Sequence, residues 1–136
     1  MEIQTYEFKV HGDERGSLIA IEEQADIPFS MKRVYYIFNT LEKVRRGMHA
    51  HKTLRQVLVC IHGSCKILLD DGTEKALVHM DKASQGLLVD RLVWHEMNDF
   101  SPDCVLLALA SDVYEEKDYI RKYDEFLEEI KTCRKE

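Results

Sequence analysis

Long apolar runs are absent from this chain of 136 residues. The longest of them, such as Val57 to Ile61 and Val105 to Ala110, are far shorter than the roughly 20 residues that cross a bilayer. The stretch from Met1 to Glu7 has neither the basic start nor the apolar core of a signal peptide. We therefore expect a cytoplasmic protein with no membrane partner.

An excess of basic residues is absent as well, because 25 acidic side chains outnumber 19 lysines and arginines and give a net charge of −6. This balance argues against a general nucleic-acid partner, which requires a basic face. A few clustered arginines can still bind a small anionic ligand, since local charges override the global sign. The charge therefore leaves anionic metabolites open as ligands.

Closely spaced cysteine motifs are also missing. The four cysteines have no C-x-x-C spacing and lie mostly in apolar stretches, where a reduced cysteine serves as a small hydrophobic residue. If His62 and Gly63 form a two-residue hairpin turn, Cys60 and Cys65 lie directly opposite each other. In a reducing compartment we expect these cysteines to remain thiols.

Short β-strands separated by turns account for most of the chain, with about ten such stretches before residue 112. The pattern changes between Asp118 and Lys131, where apolar residues recur at steps of three and four and predict an amphipathic helix. No repeat, low-complexity segment or linker interrupts the chain. The sequence therefore predicts one all-β domain over residues 1–136, a sandwich or barrel over about 1–112 followed by a C-terminal helix over about 118–132.

The stretch Arg46-Gly47-Met48-His49-Ala50-His51 carries the strongest chemical signal. Alternation along a strand places His49 and His51 on the same face, where they form either a proton-transfer pair or part of a metal site. Gln56 stands where cupin barrels usually have a glutamate ligand, and a neutral amide weakens a divalent-metal site. With a pKa near 6.5, imidazole can both accept and donate protons at cytoplasmic pH, which suits a keto–enol shuttle.

Other side chains are candidates for binding groups. The guanidinium groups of Arg33 and Arg46 are suited to phosphate oxygens. Tyr35 and Tyr36 are adjacent on one strand, so one of them faces the interior, where it contacts a ligand or fills the core. His95 is the third candidate histidine. Three other histidines fall at turns or strand ends and are expected to be solvated: His11, His62 and His79.

Several segments of the chain match one known family. They are Asp13 to Leu18, Lys32 to Phe38, Arg46 to Lys52, Gln56 to Cys60, Leu69 to Gly72, Val93 to Met97, Ser111 to Tyr114 and Asp118 to Arg121. Together they extend from about Asp13 to Phe126 and resemble the dTDP-sugar 3,4-ketoisomerases, which are metal-free cupins of bacterial deoxysugar pathways. The combination is far more specific than any single segment.

The resemblance implies a fold, a reaction and a partner. The fold is a cupin, a jelly-roll β-barrel of two antiparallel sheets, with no metal and no other cofactor. The substrate is dTDP-4-keto-6-deoxyglucose, whose carbonyl moves from C4 to C3 through an enediol, and the product feeds 3-amino-3,6-dideoxy sugars of surface glycans. Family members are homodimers that exchange N-terminal strands, which covers exposed sheet edges.

The resemblance also implies roles for individual residues. His49 resembles the base that handles the carbon-bound proton, and His51 resembles a partner that relays a proton between the sugar oxygens. Arg33 and Arg46 resemble contacts to the diphosphate. The implied substrate-binding set is completed by Arg15, Tyr35, Tyr36, Gly47 and His95. In the family, the joint presence of an arginine and a histidine at the positions of Arg15 and His95 favours the galacto product.

Two alternatives of different chemistry stay open at this point. A dTDP-4-keto-6-deoxyhexose epimerase of the cupin type also removes a proton next to a ketone, but it is expected to use a tyrosine acid placed against one histidine. A metal-dependent cupin oxygenase would use the histidines as ligands. A binding module without catalysis is a third, less favoured alternative.

Overall fold

The computed structural model describes residues 1–134. Its strands are β1 (Thr5–Glu7), β2 (His11–Asp13), β3 (Gly16–Leu18), β4 (Arg33–Ile37), β5 (Arg46–His51), β6 (Gln56–His62), β7 (Cys65–Asp70), β8 (Lys75–Met80), β9 (Gln85–Val89), β10 (Trp94–Asn98), β11 (Val105–Ala110) and β12 (Tyr119–Ile120). A 3-10 helix (Glu116–Asp118) precedes β12, and the helix α1 (Tyr123–Arg134) follows it.

Ten of the described strands form two five-stranded sheets. The first has the order β1-β9-β6-β11-β4, and the second has the order β12-β5-β10-β7-β8. All pairings within them are antiparallel. From β4 to β7 the chain alternates between the sheets, which is typical of a jelly roll. The predicted all-β fold of two antiparallel sheets with a C-terminal helix is therefore confirmed.

The strand β6 shows how the first sheet is buried on both faces. Alternation points Leu58 into the space between the two sheets, where it is fully buried in the main core cluster. Val57 and Val59 point to the outer face of the sheet, where Phe8 and Phe29 of the N-terminal segment cover them. Burying an aliphatic side chain of this size contributes about 1.5–3 kcal/mol, so the N-terminal segment is an integral part of the fold.

The helix α1 covers the outer face of the second sheet. Trp94 of β10 packs against Tyr123 and Phe126, with ring centroids 5.3 and 5.8 Å apart. The predicted start of the helix at residue 118 is wrong, because Tyr119 and Ile120 pair as a strand with His51 and Ala50 of β5. Pairing with β5 outweighs the helical periodicity, and the helix begins only at Tyr123.

Three buried thiols, called the thiol cluster below, lie between the sheets near the crossing from β6 to β7. They belong to Cys60, Cys65 and Cys104, and their sulfur atoms lie within 4.8 Å of one another. The hairpin considered for His62 and Gly63 does not form, because β6 and β7 belong to different sheets. The four cysteines are free thiols.

Among residues 1–134, no helix is both long and apolar enough to span a membrane.

Candidate active site

A β-bulge interrupts the strand β5 at Met48, directly before His49. His49 pairs with His95 of β10, but the next pair joins Gly47 to Glu96, so Met48 is an extra residue without a partner. Gly47 and Met48 both adopt positive φ angles, of 81° and 58°. A β-bulge of this kind changes the direction of the side chains that precede it.

The bulge brings Arg46 to the same side of the strand as His49. In a regular strand these two side chains would point to opposite faces, since they are three residues apart. Glycine is required at position 47, because a Cβ atom there would lie 3.1 Å from the carbonyl oxygen of His95 and the positive φ disfavours other residues. Gly47 therefore permits the strand geometry that places an arginine beside the histidines.

His49, His51 and His95 form a compact group, called the histidine cluster below. The ring centroids of His49 and His51 lie 4.9 Å apart, and those of His49 and His95 lie 4.5 Å apart. Only 3% of His51 and none of His95 is exposed, whereas His49 is partly exposed and lines a pocket. The structure thus brings together both predicted catalytic histidines and His95.

Burial keeps the histidine cluster uncharged at neutral pH. Burial lowers the pKa of His49, although the backbone carbonyl of Gly47 opposes the shift. Burial and the neighbouring His49 lower the pKa of His51 to about 4, against the opposing effect of Asp118. Burial, His49 and His51 also lower the pKa of His95 well below its ordinary value. All three imidazoles are therefore neutral at neutral pH, and His49 is the one of them that lines the pocket.

A chain of hydrogen bonds connects Tyr35 to His95. The Tyr35 hydroxyl donates to Oε1 of Gln56 at 2.8 Å, and the amide nitrogen of Gln56 lies 3.4 Å from Nε2 of His95. Nδ1 of His95 lies 3.4 Å from the carbonyl oxygen of Val93. The amide N–H of Gln56 can only donate, so Nε2 of His95 is the acceptor. The carbonyl oxygen of Val93 can only accept, so the proton of His95 is on Nδ1. Burial raises the pKa of Tyr35 to about 12, so its hydroxyl stays a donor.

The histidine cluster can be compared with a metal site. Its ring nitrogens lie within 4.8 Å of one another, a spacing at which three imidazoles can hold an ion. However, Nε2 of His95 already faces the amide nitrogen of Gln56, and an amide nitrogen has no lone pair to offer a metal. The arrangement fits proton transfer better than coordination by His95 and Gln56.

A pocket of about 410 Å³ opens between the two sheets beside His49. Its walls come from β4, β5, β10 and the segment that includes β12. The lining residues are Arg33, Val34, Tyr35, Ile37, Arg46, Gly47, His49, Met97, Tyr119 and Arg121. Aromatic, aliphatic and cationic groups thus surround the space next to the predicted base.

Two of the arginines at this pocket lack a carboxylate partner. Within residues 1–134, the ion pairs of arginine involve Arg15, Arg45, Arg55 and Arg121. Nε of Arg33 is buried without a hydrogen-bond partner, and its guanidinium lies 5.0 Å from the ring centre of Tyr35. An unpaired buried donor costs about 1–3 kcal/mol, so Arg33 and Arg46 are prepared to receive an anionic ligand.

Two of the predicted site residues belong neither to this pocket nor to the histidine cluster. Tyr36 is 60% exposed, because the alternation that turns Tyr35 inwards turns Tyr36 to the outer face. Arg15 lies in the turn between β2 and β3, where its exposed guanidinium pairs with Asp13. These two predictions therefore do not hold for the pocket within a single chain.

Three residues of the site had no predicted role. Tyr119 lines the pocket, with its ring centre 4.4 Å from that of His51 and 4.8 Å from that of His49. Arg121 lies over the Tyr119 ring at 4.4 Å and makes two hydrogen bonds of 2.9 Å to Glu116. Asp118 contacts His51. These three residues were not predicted, because the sequence pattern of this segment indicates a helix and gives no sign that Tyr119 pairs with β5.

Comparisons with known proteins identify the family of this chain. The family model described as "FdtA: WxcM-like, C-terminal" matches residues 1–131. A curated relative from Aneurinibacillus thermoaerophilus, TDP-4-oxo-6-deoxy-alpha-D-glucose-3,4-oxoisomerase, is 57% identical over 126 residues, which cover 93% of this chain and 91% of the relative.

Two crystal structures of the sugar 3,4-ketoisomerase from Thermoanaerobacterium thermosaccharolyticum are also similar. One, in complex with TDP, is 46% identical with a TM-score of 0.93 and 96% coverage of both chains. The other, a mutant in complex with TDP-4-keto-6-deoxyglucose, is 45% identical with a TM-score of 0.93, and the match covers 96% of this chain and 94% of that one. The family predicted from the sequence segments is therefore confirmed, and a ketoisomerase is favoured over the epimerase and the oxygenase. The chain belongs to the TDP-sugar 3,4-ketoisomerase family and is an isomerase.

Proposed function

We propose that this protein converts TDP-4-keto-6-deoxyglucose into the corresponding TDP-3-keto-6-deoxy sugar. The observation that carries the proposal is the position of the His49 and His51 rings, 4.9 Å apart, next to a pocket with two arginines that lack carboxylate partners. The relatives named above are described as acting on this substrate or as binding it or TDP. The arginines bind the diphosphate, and the neutral histidines move the protons.

The reaction needs no external oxidant or reductant. His49 removes the proton from C3, and the electron pair of the C–H bond forms the C3–C4 double bond as negative charge moves to O4. His51 accepts the O3 hydroxyl proton and donates it to O4, which gives an enediolate. His49 then returns its proton to C4, and the carbonyl is now at C3. A positioned general base contributes roughly 10²–10⁴ in rate to such a transfer.

The configuration at C4 depends on which face of the enediolate receives that proton. We propose the galacto product, because His95 packs against His49 with ring centroids 4.5 Å apart and Arg15 is present, as in the family branch that makes it. A ketone at C3 is the group that an aminotransferase requires, so the product suits the biosynthesis of 3-amino-3,6-dideoxy sugars of surface glycans. Nucleotide sugars are made in the cytoplasm, where we place the protein.

Incubation with TDP-4-keto-6-deoxyglucose followed by proton and carbon NMR tests these statements together. The carbon shifts report whether the carbonyl lies at C3. The coupling between H4 and H5 is small for the galacto product and large for the gluco product. A C4 ketone that persists, or one that is only epimerised, would reject the proposed function.

We also propose a homodimer in which the hairpin β2–β3 reaches the partner subunit. Within residues 1–134 this hairpin pairs with no other strand, and 60% of Leu18 on it is exposed. The edge strand β4 pairs only with β11 and exposes Val34 and Tyr36 on its outer face. Unpaired edges of this kind are covered in stable proteins. Such an exchange would bring Arg15 to the pocket of the other subunit.

Complementation between two inactive variants tests the exchange. His49→Asn and Arg15→Ala chains are co-expressed with different tags, and the mixed dimer is purified. If Arg15 acts in the partner's pocket, one of the two sites in the mixed dimer has both native residues and turnover is recovered. If it acts within its own chain, each site has one defect and no recovery occurs. A monomer in sedimentation analysis would also contradict the proposal.

A further inference from the structure

Asp118 is a carboxylate of the site that neither the proton transfers nor the anion binding described above uses. It ends the 3-10 helix, and its Oδ2 atom lies 3.3 Å from Nδ1 of His51. Nδ1 of His51 is buried and makes no hydrogen bond in this structure, so its contact with Asp118 has the distance of an ion pair without the alignment of a hydrogen bond. The other ionisable groups near His51 are His49, His95, Tyr119 and Arg33. Since none of these is a carboxylate, Asp118 is the acceptor suited to a proton on Nδ1.

The position of this carboxylate is fixed by the backbone that follows β5. Oδ1 accepts hydrogen bonds from the backbone N–H and the hydroxyl of Thr53, both at 2.8 Å. Oδ2 accepts a third from the backbone N–H of Leu54 at 3.1 Å. Burial alone raises the pKa of Asp118, but these donors and His51 outweigh it and lower the pKa. Asp118 is therefore a carboxylate anion held in one orientation.

We propose that Asp118 is a positioning residue that holds the ring of His51 and keeps its proton on Nδ1. The proposal rests on the proposed function, because it concerns the histidine that relays the proton between the sugar oxygens. With Nδ1–H directed to Asp118, the lone pair of Nε2 is free to accept the O3 proton, and only Nε2 changes its protonation during turnover. Without the carboxylate, the ring loses both its orientation and its preferred tautomer.

The substitution Asp118→Asn should reverse the tautomer. The amide oxygen takes the Oδ1 position, where two donors of Thr53 require an acceptor. The amide nitrogen then takes the Oδ2 position facing His51, where the backbone N–H of Leu54 loses its acceptor. An amide N–H donates to Nδ1, so the proton of His51 moves to Nε2, where it blocks acceptance of the O3 proton. We expect kcat to fall about 10²-fold or more, while KM stays within about twofold because Asp118 does not line the pocket.

Nitrogen NMR of histidine-labelled protein reads the tautomer directly, with His51→Asn used for assignment. In the native protein we expect the His51 proton on Nδ1, and in Asp118→Asn on Nε2. Asp70→Asn is the matched control, because Asp70 is also buried and accepts hydrogen bonds from Tyr123 and Gly72 but contacts no histidine. It should lower the midpoint of thermal unfolding without changing the His51 signals or kcat.

A native His51 that carries its proton on Nε2 would overturn the proposal even if the variant fails to fold. Unchanged nitrogen signals and unchanged kcat in Asp118→Asn would also overturn it, as would an equal loss of kcat in Asp70→Asn. The NMR measurement needs no turnover. If the native protein leaves the substrate unchanged but the tautomer behaves as expected, the proposed function fails while the positioning of His51 by Asp118 stands.

Discussion

The histidine cluster and the thiol cluster lie inside the same barrel but differ in access. Gln56, beside the histidines, and Cys60 are four residues apart on β6, or about 13 Å at 3.3 Å per residue. Each cluster has three side chains whose reactive atoms lie within 4.8 Å of one another. The thiols are at most 1% exposed and lie within the apolar core, whereas His49 reaches the pocket.

The two clusters also differ in their neighbours. The histidines have Tyr35, Gln56 and Asp118 as polar partners and two arginines without carboxylates next to them. The thiols lie among apolar core side chains, with 3.7 Å between the sulfur atoms of Cys60 and Cys104, and the Cys60 thiol donates to the carbonyl oxygen of His62. The two clusters have the same spacing of reactive atoms, but the thiol cluster is placed for packing and the histidine cluster is placed for the proposed chemistry. Access to a pocket and the groups around the cluster make the difference.

The largest expected effect comes from removing the base at the accessible cluster. His49→Asn keeps a similar size but cannot accept the carbon-bound proton, so isomerisation should fall at least 10²-fold, and exchange of H3 with deuterated solvent should cease. Affinity for TDP, measured by calorimetry, should stay near that of the native protein. His51→Asn should slow turnover but retain part of the exchange. Exchange at the native rate in His49→Asn would contradict this assignment.

The matched substitution at the closed cluster is Cys65→Ser. It places a hydroxyl among buried sulfur atoms and should cost about 1–3 kcal/mol of unfolding free energy, measured by denaturant titration. The value of kcat at 25 °C should not change. A loss of kcat with unchanged stability would mean that the two clusters are functionally linked, and the contrast between them would fail.

The next effect concerns the arginines, for which the chain offers a neighbouring control. Arg46→Ala removes an arginine without a carboxylate partner at the pocket, and a charge-assisted bond to phosphate contributes about 1.5–3 kcal/mol. Affinity for TDP alone should therefore fall about 10- to 100-fold. Arg45→Ala removes an exposed arginine already paired with Glu96 and should leave TDP affinity within about twofold. Equal losses in both variants would indicate a general charge effect.

A smaller effect is expected in the pH dependence of kcat/KM. Because burial lowers the pKa of His49, the base stays neutral below the ordinary histidine pKa of about 6.5. Activity should therefore be constant down to about pH 6.5, and its acid limb should lie below that value. An acid limb above pH 6.5 would show that His49 is not the group whose protonation stops the reaction.

The smallest expected effect is that of metal removal. Because Nε2 of His95 faces the amide nitrogen of Gln56, we expect proton transfer without a divalent ion. Dialysis against a strong chelator should leave kcat unchanged. A large loss that added metal restores would make the histidine cluster a metal centre and would reject the proton-transfer roles.

The pocket could be predicted from the sequence only in part, and the reasons differ between residues. His49 and His51 follow from strand alternation, and the all-β fold follows from the spacing of apolar stretches and turns. The inward direction of Arg46 could not be predicted, because it depends on a bulge whose extra residue has no distinctive sequence signal. Tyr119 and Asp118 were missed because pairing of two residues with β5 is a tertiary effect. The role proposed for Arg15 requires a second subunit, about which the pattern of one chain gives no information.

The bulge at Met48 makes the length of β5 as important as its composition. Both segments of the strand are in register with β10, because His49 pairs with His95 and Arg46 pairs with Met97. The extra residue is what keeps Arg46 on the histidine side, since three residues of regular strand would place the two side chains on opposite faces. A change in length of one residue that no bulge absorbs would therefore turn the arginine away from the pocket and leave the histidines in place. Binding of a charged ligand thus depends on the exact length of β5, whereas the position of the proton-transfer groups does not.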